Sequence, residues 1–282
     1  NLNHVNLSKN HLDTLSYLLI NQKQINVINL SYNPKLHKKI ALGILSNLPS
    51  LDSVFLNGWD TIPKEIGMLS QVAYLDLSNG QFYTLPEEMK KMESLRSLKV
   101  LSSIKRWDLI IESLVNCKSL KELEIGGCGL KNLPFNLHKL RKLKRLGISS
   151  SILDRAPGRL SSMKLSHVSF ESTWVKDLNS LSRTFNRVKT IKKMSFTDCM
   201  FKSGDFIIGA NSTLSKLQFI NCNLADLNML CEKEGVKVWA KDCSGFKHLQ
   251  SNRHLNFLYT SSSVIKSKAN YQLQPNDLNI PI

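Results

Sequence analysis

Along the whole chain, an apolar residue is followed three and five positions later by two more, with a small or polar residue at the eighth. The clearest copy is Leu120-Lys-Glu-Leu123-Glu-Ile125-Gly-Gly-Cys128-Gly-Leu130, closing with Leu133-Pro134. A second, Val72-Ala-Tyr-Leu75-Asp-Leu77-Ser-Asn-Gly80-Gln-Phe82, closes with Leu85-Pro86. Twelve copies can be followed, beginning at Leu2, Ile25, Leu51, Val72, Leu95, Leu120, Leu143, Leu165, Ile191, Leu214, Gly235 and Leu255, in steps of 20 to 26 residues. Such a period constrains the fold more than any isolated motif. Each copy is one supersecondary unit that cannot bury its apolar face alone, so the copies must stack. The weakest fits are Leu165, Gly235, which is not apolar, and Leu255, whose copy puts Thr260 in a core column. A one-residue slip there would turn a buried face outward.

Counting from the first apolar position, the fourth and sixth columns point inward and the third, fifth and seventh outward, because side chains alternate along a strand. The ninth column holds Asn10 and Asn33, then Ser103, Cys128, Ser151, Thr173, Cys199, Cys222, Cys243 and Ser263, with Trp59 and Gly80 departing. An Asn here satisfies backbone groups of the turn, and a buried Cys is a small, weakly polar substitute. The array therefore drifts from Asn-type to Cys/Ser-type turns, and these cysteines read as structural. Cys117 and Cys231 fall between strands, with no C-x-x-C pair or His cluster at zinc spacing. Free thiols without a terminal cysteine cluster point to a reducing compartment, the cytoplasm foremost, or to a bacterial protein that never used such caps.

Between the strands, Ile104, Trp107, Ile111 and Leu114 share a helical stripe, as do Leu178, Leu181, Phe185 and Val188, and 36–48 is similar. Ile62-Pro63-Lys-Glu-Ile66 and Leu85-Pro86-Glu-Glu-Met89 set Pro in a first turn with acids behind it, which favours a short helical turn. Each strand is expected to return by a helix or tight turn, with Trp107 and Trp174 packed in the convex core. Twelve strands at the usual spacing would lay down roughly 50 Å of parallel sheet.

These features resemble the leucine-rich repeat superfamily over essentially the whole length. The copies around 62–82, 85–100 and 133–148 resemble the "LPxxIxxLxxLxxLxL" class found in cytosolic Ras-scaffold proteins, plant immune receptors and bacterial repeat proteins, secreted effectors included. The resemblance implies an α/β solenoid, a curved right-handed arc of about 12 repeats, with a parallel concave sheet and convex helices and short helical turns. It implies a protein-recognition scaffold, no catalytic residues and no cofactor. Residues 1–265 read as one repeat domain and 266–282 as a tail, either capping the last copy or disordered. Asn1 is not an initiator Met and Leu2 is already a core position, so a fragment or processed product is expected.

Recognition must then lie in the outward columns. In the first three copies they are mainly small or polar: His4, Asn6, Ser8, Val27, Asn29, Ser31, Ser53 and Asn57. Phe55 and Tyr74 would form an aromatic patch beside Asp76, and Glu122 and Glu124 set two acids on one strand. From Leu143 onward the third column turns basic, with Arg145, Lys193, Lys216 and Lys237, and with His167 between the first two. Lys241 lies beside that row, and Trp239, Phe257 and Tyr259 flank its end. Cations and large aromatics exposed together are typical interface anchors. The expected partner is a protein with an acidic surface, although a chain of net charge +16 also presents a generally basic, solvated surface.

Charge alone admits sequence-independent nucleic-acid binding, but no helix-turn-helix, zinc finger or RNA-recognition signature accompanies it. A further alternative is the substrate-recognition part of a larger ligase or immune receptor. Gly126-Gly127-Cys128-Gly129 matches neither phosphate-binding glycine pattern, and no Ser/His/Asp or Cys/His set stands out. No apolar run is long enough to span a membrane. Glycans at the Asn6 or Asn29 sequons would block the concave face, and Asn211 carries a third sequon.

Overall fold

The alternation of apolar and polar columns builds one parallel ladder. The computed structural model describes residues 3–127, 130–156, 160–245 and 254–260, with side chains for all but 257–260. Cys128, Ser263, His248 and the tail 266–282 lie outside the described residues. The concave sheet has 12 strands: β1 (His4–Asn6), β2 (Val27–Asn29), β3 (Ser53–Phe55), β4 (Tyr74–Asp76), β5 (Ser97–Leu101), β6 (Glu122–Gly126), β7 (Arg145–Ser149), β9 (His167–Glu171), β11 (Lys193–Thr197), β14 (Lys216–Ile220), β16 (Val236–Lys241) and β17 (Leu255–Thr260). Each is parallel to the next, and third columns face one another across the ladder: Glu122, Arg145, His167, Lys193, Lys216 and Lys237 occupy successive rungs.

The inward columns form one core. Leu123, Ile125, Leu146, Ile148, Val168 and Leu217 are all buried. The sixth column becomes a phenylalanine ladder, with Phe196 stacked on Phe170 at 4.8 Å and on Phe219 at 5.3 Å. Phe201 and Phe206 meet the Phe196 ring edge-on. Each aromatic pair adds about 0.5–1.5 kcal/mol beyond burial of its area. The copies starting at Leu165 and Gly235 keep register, since Arg145 faces His167 and Lys216 faces Lys237.

The last copy does not keep register. Leu255 pairs with Val236 rather than Gly235, so Phe257 stands opposite Val238 and Tyr259 opposite Ala240. The repeat therefore starts one residue before Leu255, and Asn256 and Leu258 take the rungs beside Lys237 and Trp239. Because the side-chain period is two, that single step exchanges the columns. The side chains of Phe257 and Tyr259 lie outside the described residues.

The convex side begins as expected, with α1 (Lys38–Leu45), α2 (Trp107–Leu114) and α3 (Leu178–Asn186). The Trp107, Ile110, Ile111 and Leu114 stripe of α2 is buried. Asp177 caps α3 by accepting from the Ser180 amide at 2.8 Å. Pro63 and Pro86 cap single 3-10 turns, Lys64–Met68 and Glu87–Lys91, with acids in the first turn.

Farther along, short strands are added before the convex turns, and β13 and β15 take the place of a helix or turn, which departs from the helix-or-turn expectation. β8 (Ile152–Leu153), β10 (Trp174–Val175) and β12 (Met200–Phe201) form one small sheet, and β13 (Gly204–Ile208) pairs with β15 (Leu227–Cys231). The reason is a period of two: Phe206 and Ile208 are buried against Leu227, Met229 and Cys231, while Asp205 and Asn228 point away and hydrogen-bond at 2.7 Å. Trp174 is 37% exposed rather than packed in the core, and the Lys176 ammonium lies 5.1 Å from its ring centroid.

From β1 to β16 the turn after every concave strand except β5 uses the eighth column in left-handed backbone, a regularity absent from the sequence reading. Lys9, Tyr32, Gly58, Asn79, Gly127, Ser150, Ser172, Asp198, Asn221 and Asp242 all have positive φ. The ninth column supplies donors to the carbonyls this turn leaves open. Cys222 Sγ donates to Ile220 O at 3.2 Å and Phe196 O at 3.6 Å, and Thr173 Oγ1 does the same to Glu171 O and Ile148 O. In the copy starting at Leu95 the buried donor is Ser102, which bonds Gly80 O, while the expected Ser103 is exposed. Gly127 permits the close approach of Ser102, because a Cβ there would sit 2.3 Å from Ser102 O, and a Cβ on Gly126 would sit 1.8 Å from Ser149 O. That packing gives the glycine run a structural purpose.

Candidate functional site

The concave face divides into regions by which charges already have partners. On β5–β7, Lys99 pairs with Glu124 at 3.0 Å, Ser149 Oγ donates to Glu124 at 2.7 Å, and Arg145 pairs with Glu122 at 2.9 Å. Arg145 therefore belongs to a neutralised network. Beyond it, Lys193, Lys216, Lys237 and Lys241 stand in no ion pair among the described residues. Lys193 and Lys216 are half-buried, and Lys237 and Lys241 are exposed.

His167 marks the boundary. Its pKa is lowered first by burial, then by Arg145 and Lys193 on the flanking strands, with Glu122 acting the other way. Ser166 Oγ lies 2.8 Å from its Nδ1. The imidazole is thus held toward its neutral form, so the free positive charge begins at Lys193.

Lys216 lies over the Trp239 ring, its ammonium 5.0 Å from the centroid. Trp239 is half-buried, and its Nε1 is buried without a hydrogen-bond partner among the described residues. Beside the lysine row, the fifth column is small or neutral: Gly147, Ser169, Ser195 and Gln218. Glu171, four residues or about 13 Å along β9 from His167, and Asp198, in the turn just past β11, lie at the ends of these strands away from the lysine column. Lys193, Lys216 and Lys237 therefore form a strip along one edge, while Lys241 stands four residues from Lys237 at the other edge, in the column of Glu171.

Phe55 and Tyr74 do meet, with ring centroids 5.4 Å apart and planes tilted by 48°. Burial, with Asp76 and Glu124 nearby, pushes the Tyr74 hydroxyl up to about 12, so it stays a hydrogen-bond donor. They form a separate place: β4 and β11 are five rungs apart, roughly 24 Å. Next to Asp76 a cleft of about 760 Å³ opens, reaching Asn79, Tyr83, Lys99, Ser102 and Lys105. The sequence reading missed it, because its wall is the irregular turn around Ser102.

The cysteines take no part in either place. Cys117, Cys199, Cys222, Cys231 and Cys243 are free and buried, and burial raises the Cys117 thiol to about 11. Among the described residues no three His, Cys, Asp or Glu side chains group as metal ligands, and no helix is long and apolar enough to cross a membrane.

Among solved structures, a leucine-rich-repeat protein of Leptospira interrogans resembles the chain with a TM-score of 0.59 and 18% identity, covering 92% of this chain and 67% of that one. The leucine-rich repeat-containing protein LegL7 from Legionella pneumophila gives 0.49 at 17% identity, over 69% of this chain and 74% of that one. An internalin, inlF, from Listeria monocytogenes gives 0.46 at 11% identity, over 89% and 71%. At such identities the Leptospira likeness shows the fold alone. No family profile matches the chain, and no curated protein matches it in sequence.

Proposed function

Taking the chain as a leucine-rich-repeat solenoid, we propose that it is a non-enzymatic scaffold that recognises a protein partner through an acidic surface docked on β9–β16. One observation carries this reading. Lys193, Lys216 and Lys237 stand on consecutive rungs without an ion pair among the described residues, whereas Lys99 and Arg145 earlier in the same sheet have carboxylates of their own. Cations without carboxylate partners beside a half-buried indole offer charge complementarity and apolar area at one spot. In this reading the chain is the selecting part of a sensor or an effector. Phe55 and Tyr74 contribute a second, smaller contact.

Charge reversal tests it. Lys193→Glu combined with Lys216→Glu should weaken binding of poly-L-glutamate at least about tenfold, since each exposed pair is worth roughly 0.2–1 kcal/mol and reversal adds repulsion. Lys90→Glu with Lys91→Glu is the control, on the convex turn where Lys90 already pairs with Glu87 at 3.2 Å. Equal losses from both pairs would sink the site.

A further inference from the structure

We infer that the segment seated on the strip is an α-helix lying along the arc, across the strands, with Asp or Glu on successive turns of one face. This rests on the reading that the strip takes an acidic protein, and it is carried by the spacing of the rungs.

Lys193, Lys216 and Lys237 occupy one column of β11, β14 and β16, which are adjacent in the sheet. Adjacent strands lie about 4.8 Å apart, and side-chain tips on a concave surface are spaced no more widely. A helix rises 1.5 Å per residue, so acids alternating at three- and four-residue steps recur about every 5.3 Å. An extended peptide returns to one face only every 6.7 Å or so. Over the two steps from Lys193 to Lys237 the helix falls out of step by about 1 Å and the strand by about 4 Å, the latter as large as an ion-pair contact itself.

The width of the face agrees. A helix about 10–12 Å across fits the roughly 13 Å between the lysine column and the Glu171 end of the strands, with Asp198 just beyond. Those acids would repel a second acidic row, so the partner's charge must lie on one side of its helix. A nucleic-acid duplex, charged all round, does not meet that condition. At the end of the row Trp239 offers the exposed part of its ring beside Lys216, its Nε1 being buried. It suits an aliphatic or Met side chain one turn beyond the acids.

Three synthetic peptides of equal length and net charge test this against the whole chain by fluorescence anisotropy near physiological salt. One carries a single acidic stripe on a helix, one spreads the same acids round the helix, and one keeps the stripe order but contains two central prolines. The striped helix should bind about tenfold more tightly than either other peptide, gain helical circular dichroism on mixing, and lose that advantage on Lys193→Glu with Lys216→Glu. Equal binding of all three peptides, still sensitive to the charge reversal, overturns the helix and leaves acidic recognition standing. Binding insensitive to the reversal, or no binding by any peptide, overturns both. Tighter binding of a single-stranded RNA than of the striped peptide replaces the protein partner.

Discussion

Removing the ring at Phe196 should break the joint on which the basic strip is mounted. Phe196 is fully buried, stacks on Phe170 and Phe219, and receives the edges of Phe201 and Phe206. It lies in the same strand as Lys193, between rungs that carry His167 and Lys216. A buried Phe→Ala change costs about 3–5 kcal/mol, and lost ring pairs add about 0.5–1.5 kcal/mol each. The two overlap, so Phe196→Ala should cost about 5 kcal/mol. Phe196→Leu keeps apolar volume but loses the stacking and should cost about 1–2 kcal/mol. In a stack each copy leans only on its neighbours, so the loss stays local. Urea unfolding followed by circular dichroism should show an early step in the Ala variant. Hydrogen exchange should place it in β11, β14 and β16 while β2–β5 stay protected. A cost under about 1 kcal/mol, or protection lost evenly along the chain, would refute this account of the joint.

Two further outcomes follow from the turns and from His167. The buried Asn33 side chain donates to Leu7 O at 2.9 Å and Leu30 O at 3.1 Å, and accepts from the amides of Asn10 and Leu12. Asn33→Ala should cost about 2–4 kcal/mol through unsatisfied backbone groups, with Asn33→Ser milder, and thermal melts that rank them otherwise would contradict the turn role. His167 is held toward its neutral form by burial and by Arg145 and Lys193, with Glu122 opposing. The unfolded chain therefore takes up its proton first, and stability falls as pH drops through about 6.5 and below. An acidic peptide on the strip reverses the cause, so complex formation should take up a proton and tighten as pH falls from about 7.5 to about 5.5. His167→Gln should flatten that dependence, and an unchanged slope would remove His167 from the site.

The repeat by itself determined the parallel ladder, the inward and outward columns from Ile25 to Lys241, and the turn role of Cys199, Cys222 and Cys243. These follow from a two-residue alternation and a fixed copy length, both local properties of the chain. Only the tertiary structure decided which cations are free. Arg145 and Lys193 look alike in one column, but Arg145 has Glu122 on its neighbouring rung, and the charge of His167 is set by both flanking strands. Tertiary packing likewise left Trp174 exposed, put β13 and β15 where turns were expected, and set β17 one residue out of step. Ion pairs, burial and register depend on what the next copy places alongside, and a period measured within one copy carries none of that.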